Sequence, residues 1–399
     1  MRELRRAIFS RRSKLTLVAA CSLGLLACAG PRHGQSPYAP RQDASAAQDR
    51  AIDLAARGYQ GGTAKPEPGG LQVTVAAQQW VVNGEPLAIK LLRPVGSQGK
   101  LALLVYLPGL GESAQAGAHW RYALARAGYA VLSFQALEAD ANAWSSPLAR
   151  SADFKALALQ HQQPHLLQAR LRILLGAIAE AKLRLAHEDA LWLGVDPARI
   201  AVMGYDLGAA TALAWGASLG QAGGDQARAV IMLSPSALTR GDAERALATM
   251  PANLPLLAIN SRRAADLTGL LDSAAERTRF FEQLPVDSNK HLLLLNNPSH
   301  AALAGAAGMA ESPEEPAGRG SGQRAPSLAA KGPSPHNTIM SAAPPPTLLD
   351  QGNQEAGVVV EHISIAFLNT HLRADPQAQS WLQKSAAVWL KGLAEWRLR

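Results

Sequence analysis

Along the chain, short apolar runs alternate with longer segments in which apolar residues recur at helical spacing. Eight runs read as strands: Leu71–Val75, Leu87–Leu92, Leu101–Leu107, Ala130–Phe134, Ile200–Gly204, Ala229–Ser234, Pro255–Asn260 and His291–Asn296. The later runs are continuously apolar, as parallel strands covered on both faces require. Helical patterns lie between them at Trp120–Ala127, Leu166–Ala186, Leu207–Leu219, Asp242–Thr249 and Ser273–Gln283. This alternation predicts an α/β domain built on a doubly wound, mostly parallel sheet of about eight strands.

Two stretches break the pattern. Residues 28–70 are rich in Gly, Pro, Gln, Ala and Ser and read as a flexible tether. Residues 301–355 turn to Ala, Gly, Pro and Ser and read as a disordered insertion. The domain is therefore expected over residues 71–300 plus 356–399. A closing helix is predicted over Gln377–Trp396, where Trp381 and Val388, and Leu382 and Trp389, recur seven residues apart.

With 399 residues and 48% apolar composition, the chain has ample material for a core. Its formal charge of +8 is concentrated at one end. Residues 1–14 carry Arg2, Arg5, Arg6, Arg11, Arg12 and Lys14 against Glu3, which leaves little net charge elsewhere and no basic run longer than a pair. That distribution argues against a nucleic-acid partner. Leu15–Ala27 then runs without charge, too short to span a membrane and the right length for the apolar core of an export signal. Residues 1–27 are read as that signal. Leu25-Leu26-Ala27-Cys28 resembles a bacterial lipobox, in which the cysteine thiol is acylated. The expected location is the cell envelope, as a lipoprotein anchored through Cys28. Cleavage after Ala29, giving a soluble secreted or periplasmic protein, is the alternative. Cys21 and Cys28 are the only cysteines, so the mature chain has neither a disulfide nor a thiolate metal site. No other residue spacing suggests a metal, and no cofactor is expected.

The chemistry-bearing stretch is Ile200–Met203 followed by Gly204-Tyr205-Asp206-Leu207-Gly208 and a small-residue helical pattern. An aspartate here would start a helix, where the dipole favours its charge. Gly216-Ala217-Ser218-Leu219-Gly220 has the letters of a serine-nucleophile turn, but it falls inside the helical pattern with no strand before it. His300 lies just past the His291–Asn296 run. Asp266 follows the Pro255–Asn260 run and could equally pair with Arg262 or Arg263. The connection 135–167 is long and leaves the carboxyl end of a strand, where ligands bind in such sheets. Trp144, Phe154, His161 and His165 on it are candidates for a pocket wall or lid.

Several segments in order resemble the α/β-hydrolases of the dienelactone-hydrolase and platelet-activating-factor-acetylhydrolase-like kind. They are Leu107-Pro108-Gly109-Leu110-Gly111, Leu124–Phe134, Val195–Leu213, Leu294–Leu303 and Ile363–Leu382. The resemblance covers roughly residues 85–300 and 358–396. It implies an α/β-hydrolase fold and a small-molecule substrate. It also implies a nucleophile at position 206, His300 as its partner, Asp266 as the orienting acid, and oxyanion donors at the backbone of Leu110 and Leu207. The family has serine where this chain has Asp206. Three expectations follow: hydrolysis of ester- or lactone-like small molecules by a variant mechanism, a catalytically silent binding protein, or carboxylate attack at saturated carbon, as in dehalogenases and epoxide hydrolases. Against the last, Leu207 stands where fluoroacetate and other dehalogenases carry a halide-binding Arg or Trp, and Pro235–Asn253 is short for their cap.

Acylation at Cys28 should make the mature protein partition with membranes. Membrane fractionation of wild type and Cys28→Ser tests this: the variant is expected in the soluble fraction, and equal membrane association would overturn the anchor.

Overall fold

Nine strands form one sheet in the order β1-β2-β4-β3-β5-β6-β7-β8-β9. They are β1 (Val73–Val82), β2 (Glu85–Pro94), β3 (Leu101–Leu107), β4 (Ala130–Phe134), β5 (Val195–Tyr205), β6 (Ala227–Leu233), β7 (Leu256–Ser261), β8 (Lys290–Leu295) and β9 (Ala394–Leu398). Strands β3 to β8 run parallel, while β1, β2 and β9 are antiparallel to their neighbours. The computed structural model describes residues 40–61, 71–96, 99–187, 189–219, 227–236, 246, 248–264, 266, 268–287, 289–305 and 349–399. The segment read as an export signal, with Cys28, most of Asp242–Thr249 and residues 306–348 lie outside them.

The central strands alternate between two apolar layers. Val105 and Val202 face helices α6 (Pro164–Ala186) and α7 (Leu207–Ser218), through Leu174, Ala177, Leu213 and Trp215. Leu104, Tyr106, Ala201 and Met203 face α2 (Ala118–Arg126) and α8 (Leu349–Arg373), through Trp120, Leu124, Val360 and Phe367. Helices on both faces explain the uninterrupted burial of β3 and β4. The architecture is thus α/β with a mostly parallel sheet. Between β4 and α6 the chain forms three short helices, α3 (Glu138–Ala141), α4 (Pro147–Arg150) and α5 (Phe154–His161).

Four expectations are revised: the span read as a disordered insertion, 301–355, begins with the 3-10 turn Ala301–Ala304, whose Leu303 is buried, and ends inside α8. The first strand extends to Val82 because Trp80 and Val82 turn inward, and Asn83-Gly84, with φ of 54° and 86°, closes a hairpin onto β2. Both central residues at positive φ match the right-handed strand twist. The span read as a tether contains helix α1 (Pro40–Arg57). Its Leu54 and the following Tyr59 are buried with α8, Trp389 Nε1 donates to the Leu54 carbonyl at 3.1 Å, and Tyr59 Oη donates to Asp375 at 2.7 Å. The closing helix divides into α9 (Pro376–Lys384), α10 (Ala386–Trp389) and the ninth strand. Gly392, at φ 85°, makes the left-handed turn that ends the helical run and sends Ala394–Leu398 back along β8.

His291, 4% exposed, opens the pairing of β8 with β9 and stacks on Trp396 with centroids 5.1 Å apart. Its Nδ1 has no hydrogen-bond partner among the described residues. Burial pushes its pKa down to about 3, and that of nearby His371 to about 4. A histidine depressed on folding keeps the native state stable above the unfolded value and weakens it as pH falls below that value. Urea unfolding should therefore show stability dropping from pH 6.5 toward pH 4. His291→Phe, which keeps the stacked ring, should remove on the order of 2–3 kcal/mol of that drop. An unchanged pH slope would show that His291 does not carry it.

Candidate active site

Strand β5 ends at Tyr205, and α7 begins at Leu207. Asp206 between them holds φ 51° and ψ −112°, a sparsely populated conformation for any residue with a side chain. It costs about 1–3 kcal/mol. The flanking glycines make the turn possible. A Cβ on Gly204 would lie 2.1 Å from the Gly208 carbonyl oxygen, and one on Gly208 would lie 2.2 Å from that of Leu107. The turn is tied down by Asp206 N–H donating to Leu233 O at 3.0 Å and Ser236 N–H donating to Asp206 O at 3.2 Å. Asp206 stands at the head of α7, yet its carboxylate caps no α7 amide. Oδ2 instead accepts from Leu110 N–H at 3.3 Å, and Oδ1 lies 3.8 Å from His300 Nε2.

The Leu110 amide is presented by a tight turn after β3. Glu112 N–H reaches the Gly109 carbonyl at 3.4 Å, and Gly111 takes the positive φ of 77°, as a type II turn requires at that position. The Glu112 carboxylate accepts from Gly109 N–H at 2.7 Å, and Gln135 Nε2 donates to the carbonyls of Gly109 and Glu112. Glu112 is one of two residues the sequence reading missed. Burial pushes its pKa up to about 7; the Gly109 bond works against this, and the Asp206 charge adds to it. Only its place directly after the Gly-Leu-Gly turn could have drawn attention to it.

His300 sits beyond β8 at the start of a short 3-10 turn, Ala301–Ala304. Tyr205 holds it from below: the rings stack at 5.0 Å and Tyr205 Oη donates to the His300 carbonyl at 3.1 Å. Burial holds the imidazole below the usual histidine range; Asp206 and, more weakly, Asp266 oppose that shift, and Arg277 adds to it. The other ring nitrogen, Nδ1, is 2.7 Å from Ser234 Oγ. Ser234 directly follows β6, at φ 39°, and is completely buried.

Asp266 does not make that contact. Its Oδ1 accepts from Thr268 N–H and Oγ1, its Oδ2 from the amides of Leu270 and Leu271, and Arg277 stands 3.6 Å away. Although burial works the other way, these bonds hold its carboxyl below the usual range. The carboxylate is committed to its own loop, and its bearing on His300 is electrostatic.

The 135–167 connection forms a wall beside the turn. Trp144 Nε1 donates to the Leu110 carbonyl at 3.2 Å, its indole covers Gly111, and Phe154 meets it edge-on. Asp140 O accepts from Gly111 N–H at 2.8 Å. His161 is not at a pocket surface: it is buried, with Nδ1 2.8 Å from Asp140, whose carboxylate also takes Arg170 Nε at 2.6 Å. His165 is exposed in the first turn of α6, away from Asp206's hydrogen-bond partners. Between wall and elbow lies a narrow hollow of about 220 Å³ including its mouth, bounded by Leu107, Gln135, Leu207 and Thr211. Leu207 itself is buried at the first position of α7, where a helix leaves its N–H unused.

The geometry thus brings Asp206, His300 and the Leu110 amide together, adds Ser234 and Glu112, leaves Asp266 and His161 in other contacts, and leaves His165 on the surface. No group of three or more metal-ligating side chains occurs among the described residues, and no described helix is long and apolar enough to cross a membrane. No protein-family model matches the chain, and no curated protein matches it significantly.

In a poorly solvated site the Asp206 charge raises the cost of ionising Glu112. The side-chain carboxyl carbon of Glu112, followed by ¹³C NMR, should titrate near pH 7. Asp206→Asn removes the like charge and should lower that midpoint by roughly half a unit or more. A midpoint near 4.5 in wild type would refute the coupling.

Proposed function

We propose that this chain is an exported hydrolase of the α/β-hydrolase fold, acting on ester- or lactone-like small molecules, with Asp206 and His300 as its working pair. The strand order, the antiparallel β2 and the position of the strand–turn–helix at the end of β5 support the fold. The observation that carries the function is the strained Asp206, aimed at His300 and the Leu110 amide instead of at its own helix. Backbone strain persists where surrounding structure enforces it, and it concentrates at working sites. Asp206 Oδ1 either takes the proton from a water that attacks the acyl carbon, or attacks that carbon itself, releasing the alcohol and leaving a mixed anhydride that water cleaves. The amides of Leu110 and Leu207 provide the donors for negative charge that develops there. Cys28 anchors the protein to the envelope membrane.

A second reading draws on one specific distance. Oδ2 already rests on the Leu110 amide. If Oδ1 displaced a leaving group from saturated carbon, Oδ2 would become the carbonyl oxygen of an Asp206 ester, on the donor that stabilises its hydrolysis. The two readings part at the intermediate, and a silent binding protein forms neither.

One panel separates them. Wild type, Asp206→Asn, Asp206→Ser and His300→Ala are assayed against short aryl esters, lactones, epoxides and alkyl halides. Asp206→Asn and His300→Ala should each lose at least 100-fold, about 2.7 kcal/mol of barrier. Asp206→Ser should gain fluorophosphonate labelling. Alkyl-halide or epoxide turnover with an ester trapped on Asp206 would favour displacement. Turnover surviving both Asp206→Asn and His300→Ala would refute the site. No wild-type turnover and no gain in Asp206→Ser would favour binding alone.

A further inference from the structure

His300 is held at both nitrogens, and the two partners differ in kind. Nε2 faces the Asp206 carboxylate at 3.8 Å, and Nδ1 meets the Ser234 hydroxyl at 2.7 Å. In a Ser-His-Asp triad the hydroxyl stands at Nε2 and the carboxylate at Nδ1. Here the ends are exchanged. The number of carboxylates touching the imidazole is still one, because Asp266 spends its oxygens on Thr268, Leu270 and Leu271.

The exchange fixes where the ring carries its proton. A carboxylate accepts only, so a bare Nε2 lone pair facing Asp206 would be repelled. The proton therefore belongs on Nε2, and Nδ1 is the acceptor. A hydroxyl can donate to Nδ1; a carboxylate cannot. We infer that Ser234 is a positioning residue that donates to His300 Nδ1 and keeps the ring in its neutral Nε2–H form, pointed at Asp206. The consequence, which rests on the hydrolase reading above, is that His300 orients the working carboxylate and Asp206 is the group that attacks or accepts the proton.

The surroundings agree with a neutral ring. The groups that face His300 are Asp206 from the elbow, Asp266 from the loop after β7, Arg277 from the 3-10 stretch Ala274–Gln283, and the apolar face of Tyr205. Arg277 opposes protonation and donates to the Pro235 carbonyl beside Ser234 at 2.8 Å. Desolvation works in the same direction as Arg277. A second carboxylate at Nδ1 would reverse this balance and give an imidazolium between two anions.

The test compares Ser234→Asn with Ser234→Asp. Asparagine and aspartate have the same shape, both tolerate the positive φ at this position, and they differ in charge. ¹⁵N NMR of the imidazoles, with His300 assigned by its loss in His300→Ala, reads tautomer and charge directly, in the full chain and without substrate. Wild type at pH 7.5 should show a protonated Nε2 and a bare, hydrogen-bonded Nδ1. Ser234→Asn, which can also donate, should keep that pattern. Ser234→Asp should put the proton on Nδ1 and raise the His300 pKa by at least one unit above that of Ser234→Asn, a tenfold change in protonation. A wild-type ring protonated on Nδ1, or one charged at pH 7.5, would overturn the assignment, as would identical pKa values in the two variants. If either variant fails to fold, the wild-type spectrum alone decides. Because no turnover is needed, an empty substrate screen leaves this result standing, and a wrong tautomer leaves Asp206 turnover to be judged separately.

Discussion

The contact on which the site depends is the one between Gly208 and the backbone carbonyls of Leu107 and Pro108. Helix α7 can approach the end of β3 this closely because position 208 carries only a hydrogen. That approach brings the turn after β3 within reach of the elbow and allows the Leu110 amide to meet Asp206. The same closeness compresses the strand–helix junction, and Asp206 takes up the strained backbone. Burial offsets the strain. Leu207, Leu213 and Trp215 on α7 are all buried, and each large apolar side chain contributes roughly 1.5–3 kcal/mol. One strained residue at about 1–3 kcal/mol is affordable against that helix.

Charge is distributed around the junction so that each buried ion has a stated partner. Asp140 is closed off by Arg170 and His161, which fastens the wall to α6 and, through its carbonyl on Gly111, to the turn that carries Leu110. Asp266 is closed off by its own loop and Arg277. Glu112 takes a single backbone amide and is driven toward its neutral form at ordinary pH. Asp206 differs from the two closed-off aspartates. It has one long bond from an amide and a neutral imidazole at 3.8 Å. Its charge is the least compensated of the three aspartates, and one of its oxygens faces the ring.

Much of this was legible in the sequence, for reasons that mark its limit. Buried parallel strands write continuous apolar runs, so β3 to β8 stood out, and a helix that packs this tightly writes small residues, so Gly204 and Gly208 stood out. The Asn83-Gly84 hairpin, not read from the sequence, governs how β1 joins the sheet. Strand β9 was hidden because Trp396 fits a helical stripe as well as a strand, and Gly392 decides between them. Ser234 was hidden for a deeper reason. Nothing in its neighbourhood distinguishes it, and its contact with His300 arises from β6 and β7 pairing Leu233 with Ile259, which sets where β6 stops beside the histidine loop. Asp266 misled for the converse reason: residue type and approximate position were right, but the loop closed around the carboxylate.

An aspartate at a helix head has an ordinary explanation, and the structure speaks against it. A capping carboxylate accepts from the amides two or three residues on and contributes about 1 kcal/mol. Asp375 does this at the head of α9, accepting from Gln377 and Ala378, and Asp153 does it for α5. Asp206 has the same opportunity and does not take it. Its backbone, at φ 51° and ψ −112°, turns the side chain off the axis of α7 and over the Gly109–Leu110 turn. The local stabilisation a cap would give is forgone, and strain is added, in exchange for an oxygen facing His300. A residue retained only to begin a helix would sit in extended backbone like Asp375.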